Sequence, residues 1–368
     1  MDDFWKEKLS NGPLSDSDAR TFAEFALTRV SRTFALNIRV LPLPLRTHVL
    51  YAYLYCRMAD TLEDDPHLEP PEKIRLLQQF SALFIAPRGK APSAMQEFTA
   101  QLPTQWQSSP QWEHLLLVDA PVVLSPFLDF PEPVRKIVAG CVSEMCAGMA
   151  DFAGRHAGAA SPHLIATVAE LDTYCYYVAG TVGMLLCELF ILHSGRINPE
   201  RAAKLRGLCV SFGLGLQLTN ILKDLHDDKD RNVSWLPTEL LAIENLSFQD
   251  FLHSPAASRG RKRIYRVLFL KAKKHLEDAL EYSCLIPRFD NRLRLFCLWP
   301  LFMAAETLAL LADSTEALAQ GTRLKISRNK VKSIVQRTGL LGWSNRWVHA
   351  EFQKPMRRLE NSFSQGTL

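Results

Sequence analysis

The chain has 368 residues, 47% of them apolar, with 43 basic and 39 acidic side chains and a formal net charge of +4. That length and apolar share supply one large core with a lined cavity, and the small, dispersed charge excludes a nucleic-acid-binding protein. Eight cysteines stand singly in apolar segments, without a C-x-x-C pair or zinc spacing, which points to reduced thiols in a cytoplasmic protein.

Met1–Ser10 is acidic and aromatic and lacks the basic start and apolar run of a secretory signal. Ser15 to Asp18 offer N-cap chemistry for a helix carrying Phe22, Phe25 and Ala26, and the prolines at 42 and 44 predict that this helix ends near Leu41 and a new one starts past Pro44. The new helix carries YLYCRMADTLEDD, in which Tyr53, Arg57, Asp60 and Asp64 step by four, three and four residues and so share one face. Tyr51, Tyr53 and Tyr55 cannot all point one way, so at least one belongs to the core. Two carboxylates a turn apart, with Glu63 and Asp65 beside them, repel unless a cation intervenes. Hard oxygen ligands suit Mg²⁺, which takes one or two carboxylates and completes its octahedron with water and phosphate. An acidic, solvated helix end running into Pro66 fits the same residues.

Pro70-Pro71 restarts a helix, and residues 86–112, broken by prolines, read as a loop with a short helix and no chemistry. A helix over Glu132 to Gly154 carries Met145 and Met149 on a broad apolar face. The next, Leu171 to His193, reads as too short and too interrupted by Glu188 to span a bilayer. Its Gly180 and Gly183 each cost about 1 kcal/mol relative to alanine; a kink, a close helix contact or ligand room would explain them, and room for an apolar chain is the preferred expectation.

A second polar stripe follows in LQLTNILKDLHDDKDRN. Gln217, Asn220, Asp224 and Asp228 step by three, four and four. Two acidic helices embedded in apolar pattern suggest facing walls of one cavity, with several Mg²⁺ ions about a diphosphate. The chemistry needing such walls is ionisation of an allylic diphosphate beside an apolar pocket that shelters a carbocation. Residues 254–263 read as a basic hinge before a helix over Ile264 to Ser283. Asn291 to Asp313, with Pro300 and Glu306 inside it, reads as a kinked core helix, and LKISRNK at 324–330 as a basic cluster or a solvated helix start.

DTLEDD at 60–65, YCYYVAG at 174–180 and QLTNILKD at 217–224 resemble the squalene/phytoene synthase family. SRTFA at 31–35, the CRMAD approach to the first acidic run, LCELF after the tyrosine motif, and LFCLWPLFMAAETLALL leading into LKISRNK resemble its squalene synthase branch. The likeness covers roughly residues 25–335. It implies an all-α class I isoprenoid synthase bundle around a central cavity over residues 21–340, after an N-terminal segment 1–20 and before a polar C-terminal tail 341–368.

The same resemblance implies two farnesyl diphosphates joined head to head to presqualene diphosphate and reduced by NADPH to squalene. Mg²⁺ would be held by Asp60, Glu63, Asp64, Asp224 and Asp228. Tyr174 would handle the proton lost on cyclopropane closure. Arg32, Arg57 and Lys223 would steady phosphates, Ser31 and Tyr53 would line the diphosphate or cofactor region, and Gln217 and Asn220 would orient metal-bound water. Lys325 and Arg328 would meet the extra phosphate of NADPH. Two positions depart from the family: Val233 stands where an arginine is usual, with Arg231 as a stand-in, and Ser327 occupies another arginine position. The lack of an apolar run after Leu340 suggests a bacterial type of enzyme, a cytoplasmic monomer held weakly at a membrane surface by Trp343, Trp347, Arg346, Arg357 and Arg358. The alternatives are a phytoene or dehydrosqualene synthase without NADPH, a single-substrate terpene cyclase, and a non-catalytic membrane-surface scaffold.

Overall fold

A computed structural model describes residues 2–10, 14–155, 165–230, 233–319 and 321–364. The described residues are helical and include no β-strand. They divide into two compact units, Met1–Ala157 and Gly158–Leu368. Helices of seven residues or more in the first unit are α1 (Asp2–Ser10), α2 (Asp16–Val30), α3 (Arg32–Val40), α4 (Leu45–Asp64), α5 (Pro70–Leu83), α6 (Ala91–Thr99), α7 (Trp112–Val118) and α8 (Glu132–Arg155).

Ser15 caps α2 as its sequence suggests, its side chain accepting from the Asp18 N–H. The helix predicted to run to Leu41 is broken at Ser31, which is extended and caps α3 by accepting from the Phe34 N–H at 3.2 Å. The cap satisfies a donor that the broken helix would otherwise leave open. α4 begins after Pro44 and stops before Pro66, and α5 begins at Pro70, where the prolines place them. Tyr51 and Tyr55 are both core, with the Tyr55 hydroxyl donating to the Val123 carbonyl at 3.2 Å. Only Tyr53 shares the half-exposed face with Arg57 and Asp60. Residues 86–112 hold more structure than expected, because Met95, Phe98, Trp106 and Trp112 are all buried there.

The second unit contains α9 (Val168–His193), α10 (Pro199–Asp230), α11 (Ser258–Leu285), α12 (Asn291–Asp313), α13 (Arg328–Leu341) and α14 (Asn345–Ser364). α10 is 32 residues long, about 48 Å at 1.5 Å per residue, and packs against α9, α11 and α12. The glycines expected to leave ligand room instead let two backbones touch. A Cβ on Gly183 of α9 would lie 2.2 Å from the Cys209 carbonyl oxygen of α10, and one on Gly213 of α10 would lie 2.2 Å from the Ala179 carbonyl oxygen of α9. Beside this crossing, α9 widens into a π-helical turn over Tyr176–Gly180.

The expected basic hinge is also corrected. α11 starts at Ser258, and the buried Arg261 donates to the carbonyls of Phe251, Asp250 and Ser254, tying down the turn it was expected to loosen. Four helices, Glu132–Arg155, Val168–His193, Pro199–Leu225 and Asn291–Asp313, are long and apolar enough to cross a membrane by length and composition. The Leu171–His193 segment is thus not too short to span a bilayer, since its helix has 26 residues and its Glu188 is paired with Arg206. In α12, 83% of the apolar window is buried by the rest of the chain, consistent with a core helix. Within the segment read as a polar tail, α14 buries Val348, Phe352, Met356 and Leu359 on one face.

Candidate functional site

In the first unit the predicted stripe on α4 forms a connected polar surface. Arg57 donates to the Glu113 carboxylate of α7 at 3.2 Å and stands 3.9 Å from Asp60. Burial works against its charge, but Asp60, Tyr53 and Glu113 outweigh burial and hold the guanidinium above its ordinary pKa. Its Nε is buried without a hydrogen-bond partner, which leaves the guanidinium with one unmet donor. Asp60 keeps 32% side-chain exposure, yet the protein around it pushes the carboxyl up to about 7; Arg57 opposes the shift and Asp64 adds to it. Tyr53 rests against Phe34 at 5.1 Å, and burial pushes its phenol up to about 12 against the Ser31 hydroxyl and Arg57. Ser31 is thus joined to the stripe, whereas Arg32 is exposed and makes no ion pair among the described residues. Glu63 lies beside the stripe, its backbone carbonyl accepting from Lys73.

The end of the motif is anchored by residues the sequence reading passed over. Asp65 is buried and bonded to His114 Nε2 at 2.8 Å, while His114 Nδ1 lies 2.8 Å from the Ser109 hydroxyl. The His114 ring stacks on Trp106 at 4.4 Å. Adjacent residues of α7, Glu113 and His114, therefore hold Arg57 and Asp65 at opposite ends of the acidic run. A charged pair inside the otherwise apolar WEHLLLV was the available signal.

In the second unit Lys223 donates to the Asn220 amide oxygen at 3.2 Å and pairs with Asp224 at 3.1 Å. Gln217 is half-buried on the same helix and Asp228 is buried at 6% exposure. Beyond α10 the Val233 N–H returns to the Asp228 carbonyl at 3.0 Å; Arg231 lies outside the described residues. Tyr174 of α9 is buried and stacked on Trp235, with centroids 3.7 Å apart and planes 15° from parallel. Arg323 pairs with Asp227 at 2.8 Å, which brings the start of the basic stretch to the acidic end of α10. Lys325 and Arg328 are exposed without ion pairs among the described residues, Ser327 caps α13, and Lys330 pairs with Glu306 at 2.9 Å.

Among the described residues no group of three or more His, Cys, Asp or Glu side chains converges as a preformed metal site. Each stripe nevertheless offers the one or two hard carboxylates that Mg²⁺ requires when phosphate and water complete its shell. The half-exposed Arg57 guanidinium and the raised Asp60 carboxyl fit such a cation–phosphate pair.

The all-α fold is that of the squalene and dehydrosqualene synthases. TcSQS in complex with a ligand superposes with a TM-score of 0.77 at 23% identity over 93% of this chain and 91% of that one. A dehydrosqualene synthase with ligand gives 0.59 at 21% identity over 88% and 96%. Residues 27–330 match the squalene/phytoene synthase family, and the chain belongs to it. Squalene synthase of Schizosaccharomyces pombe is 29% identical over 310 residues, 84% of this chain and 63% of that protein. Squalene synthase BSS of Botryococcus braunii is 31% identical over 311 residues, 83% and 61%. The chain spans about three-fifths of the length of these curated relatives.

Proposed function

We propose that the protein is a Mg²⁺-dependent prenyltransferase that joins two farnesyl diphosphates head to head and, with NADPH, reduces the product to squalene. The observation that carries the proposal is the α4 stripe, where a half-exposed Arg57 guanidinium, held by Glu113, stands 3.9 Å from a carboxyl pushed up to about 7. The curated relatives named squalene synthase support the product assignment.

In this reading Asp60, Glu63 and Asp64 on one helix and Asp224 and Asp228 on the other are the Mg²⁺ ligands. Bound Mg²⁺ supplies neutralisation of diphosphate charge. On the first unit Arg57 binds diphosphate through its half-exposed guanidinium while Glu113 fixes its plane, Arg32 adds a cationic contact and Ser31 holds Tyr53 beside the stripe; on the second unit Lys223 meets diphosphate from α10. Gln217 and Asn220 orient water and diphosphate oxygens. Departure of the first diphosphate leaves an allylic cation that the second farnesyl double bond attacks, and the proton lost on ring closure is relayed by the Tyr174 hydroxyl, which gives up its own proton to the departed diphosphate. Trp235, stacked beneath Tyr174, offers a π face to positive charge. Lys325 and Arg328 receive the extra phosphate of NADPH, with Arg231 as a further cation. The protein acts as a cytoplasmic monomer.

The test is to incubate the purified protein with farnesyl diphosphate and Mg²⁺, with and without NADPH, and identify products by mass spectrometry. Squalene formed only with NADPH is expected, as is loss of at least a hundredfold in rate for Asp60→Asn and Asp224→Asn. A desaturated thirty-carbon product independent of NADPH would move the assignment to dehydrosqualene synthesis. Undiminished function in Asp60→Asn would move it to a scaffold.

A further inference from the structure

The sequence expectation placed a membrane holdfast on the last helix, but two of its residues are engaged elsewhere. Trp347 packs on Phe302 with the Arg337 guanidinium 5.7 Å from its ring, and Arg358 pairs with Glu306 and Asp313. A different surface emerges where three interhelical turns of the second unit meet. Asp290, in the α11–α12 turn, accepts from Ser194 and pairs with Arg196 at 2.9 Å in the α9–α10 turn. Arg294, fully buried at the start of α12, donates to the carbonyls of Ile286 and Gly342 at 2.8 and 3.1 Å, joining the α11–α12 turn to the α13–α14 turn. These bonds gather Leu192, Phe289, Leu340, Leu341 and Trp343 at one end of the unit.

Of the eight exposed large apolar side chains described in this unit, these are five; Ile243, Val267 and Leu270 are the others. Phe289 in the α11–α12 turn is 88% exposed, Leu340 at the end of α13 74% and Trp343 just beyond it 54%, so each stands out from the surface. Single exposed apolar residues need no explanation, but a cluster at one pole does. Arg288 and Arg346 stand exposed among them and form no ion pair among the described residues.

The polar groups around Trp343 in the α13–α14 turn are hydrogen-bonded. Trp343 Nε1 donates to the Leu340 carbonyl at 3.1 Å, the Gly342 N–H to Thr338 at 2.7 Å, and the Gly342 carbonyl is taken by Arg294. Trp343 can therefore leave water without stranding its indole donor or the Gly342 backbone. Protruding Trp, Phe and Leu side chains interleaved with arginines match the layered chemistry of a bilayer interface, where rings enter the acyl boundary and guanidinium groups meet phosphate. A protein interface favours a flatter, desolvated centre ringed by polar residues.

We infer that this pole of the second unit docks on an anionic lipid surface, with Phe289, Leu340 and Trp343 entering the interface and Arg288 and Arg346 contacting headgroup phosphates. The pole lies about 37 Å along α10 from Asp224, at 1.5 Å per residue, so docking leaves the acidic end of that helix off the lipid. The inference is independent of the prenyl-transfer reading.

The full-length protein is sedimented with vesicles of phosphatidylcholine containing one-third phosphatidylglycerol, and with phosphatidylcholine alone. Co-sedimentation with the anionic vesicles is expected. Phe289→Ser/Trp343→Ser lowers it at least tenfold, and Arg288→Gln and Arg346→Gln lower it about fivefold each. Ile243→Ser and Val267→Ser, also exposed in the same unit, leave it unchanged, and circular dichroism verifies each fold. Wild-type protein remaining in the supernatant overturns the inference, as does equal loss in the Ile243 and Val267 variants. So does unchanged lipid binding in the tip variants together with dissociation of a dimer in light scattering, which identifies a surface for a second copy. Turnover of detergent-dispersed farnesyl diphosphate is measured in parallel: lipid binding without turnover refutes only the enzymatic reading and upholds docking.

Discussion

Replacing Gly183 by alanine sets two opposed effects against each other on one helix. In an unobstructed helix interior the change gains about 1 kcal/mol. Here the new Cβ falls 2.2 Å from the Cys209 carbonyl oxygen, where real Cβ contacts do not come under 3.0 Å. The obstacle is backbone and cannot rotate aside, so α9 and α10 must separate by about 0.8 Å or α10 must bend. Overpacking of this kind costs about 1–3 kcal/mol, and a rigid obstacle puts it at the upper end. Subtracting the propensity gain leaves net destabilisation of about 2 kcal/mol, a fall in Tm of about 4–8 °C for a unit of this size. Gly207, exposed on α10 with nothing within 4 Å of its Cβ position, is the internal control, and Gly207→Ala should raise Tm. The assay is thermal unfolding followed by circular dichroism. A Gly183→Ala protein as stable as wild type, with Gly207→Ala behaving as expected, would refute the close crossing. Gly183→Ala/Gly213→Ala should cost less than the sum of its parts, because one separation relieves both contacts.

Asp60 must lose its proton to bind Mg²⁺, so with its carboxyl near 7 the apparent Mg²⁺ affinity should rise about tenfold from pH 6 to pH 8. Calorimetry in buffers of different ionisation heat would detect the released proton, and a flat profile counts against the assignment. In metal-free protein the raised pKa has a stability consequence: the contribution present below the unfolded value of about 4 is lost as pH rises through about 7, and Asp60→Asn should remove that loss. Glu113→Gln should free Arg57 and raise the KM for farnesyl diphosphate about tenfold with the fold intact, and an unchanged KM would reduce Glu113 to a surface partner. Lys325→Ala/Arg328→Ala should raise the KM for NADPH at least tenfold while sparing the first condensation; equal kinetics in both steps would leave these residues as a solvated helix start.

The two polar stripes were legible because each is written within one helix, where steps of three and four residues determine which side chains share a face. The starts of α4 and α5 were legible for a similar reason, since proline acts on its own neighbours. Contacts made across sequence distance were not. Glu113 reaches Arg57 over 56 positions and His114 reaches Asp65 over 49, and no local period announces them. Arg261 looked like hinge charge because its partners are carbonyl oxygens, which every residue carries and no sequence distinguishes. Gly183 was correctly singled out as costly, but a missing side chain looks the same whether it makes room for a ligand or for another backbone. Ser31 was noticed for its motif and not for the helix break it caps.

Arg294 has no carboxylate partner among the described residues: its donors go to the carbonyls of Cys284, Ile286 and Gly342 and to the Asn345 side chain. The first two carbonyls lie at the C-terminus of α11 and the third at that of α13. Each helix end carries roughly half a negative charge from its aligned peptide dipoles, so two of them together offset about one guanidinium. The joint is neutralised by backbone alone, and acidification that protonates carboxylates elsewhere leaves it intact.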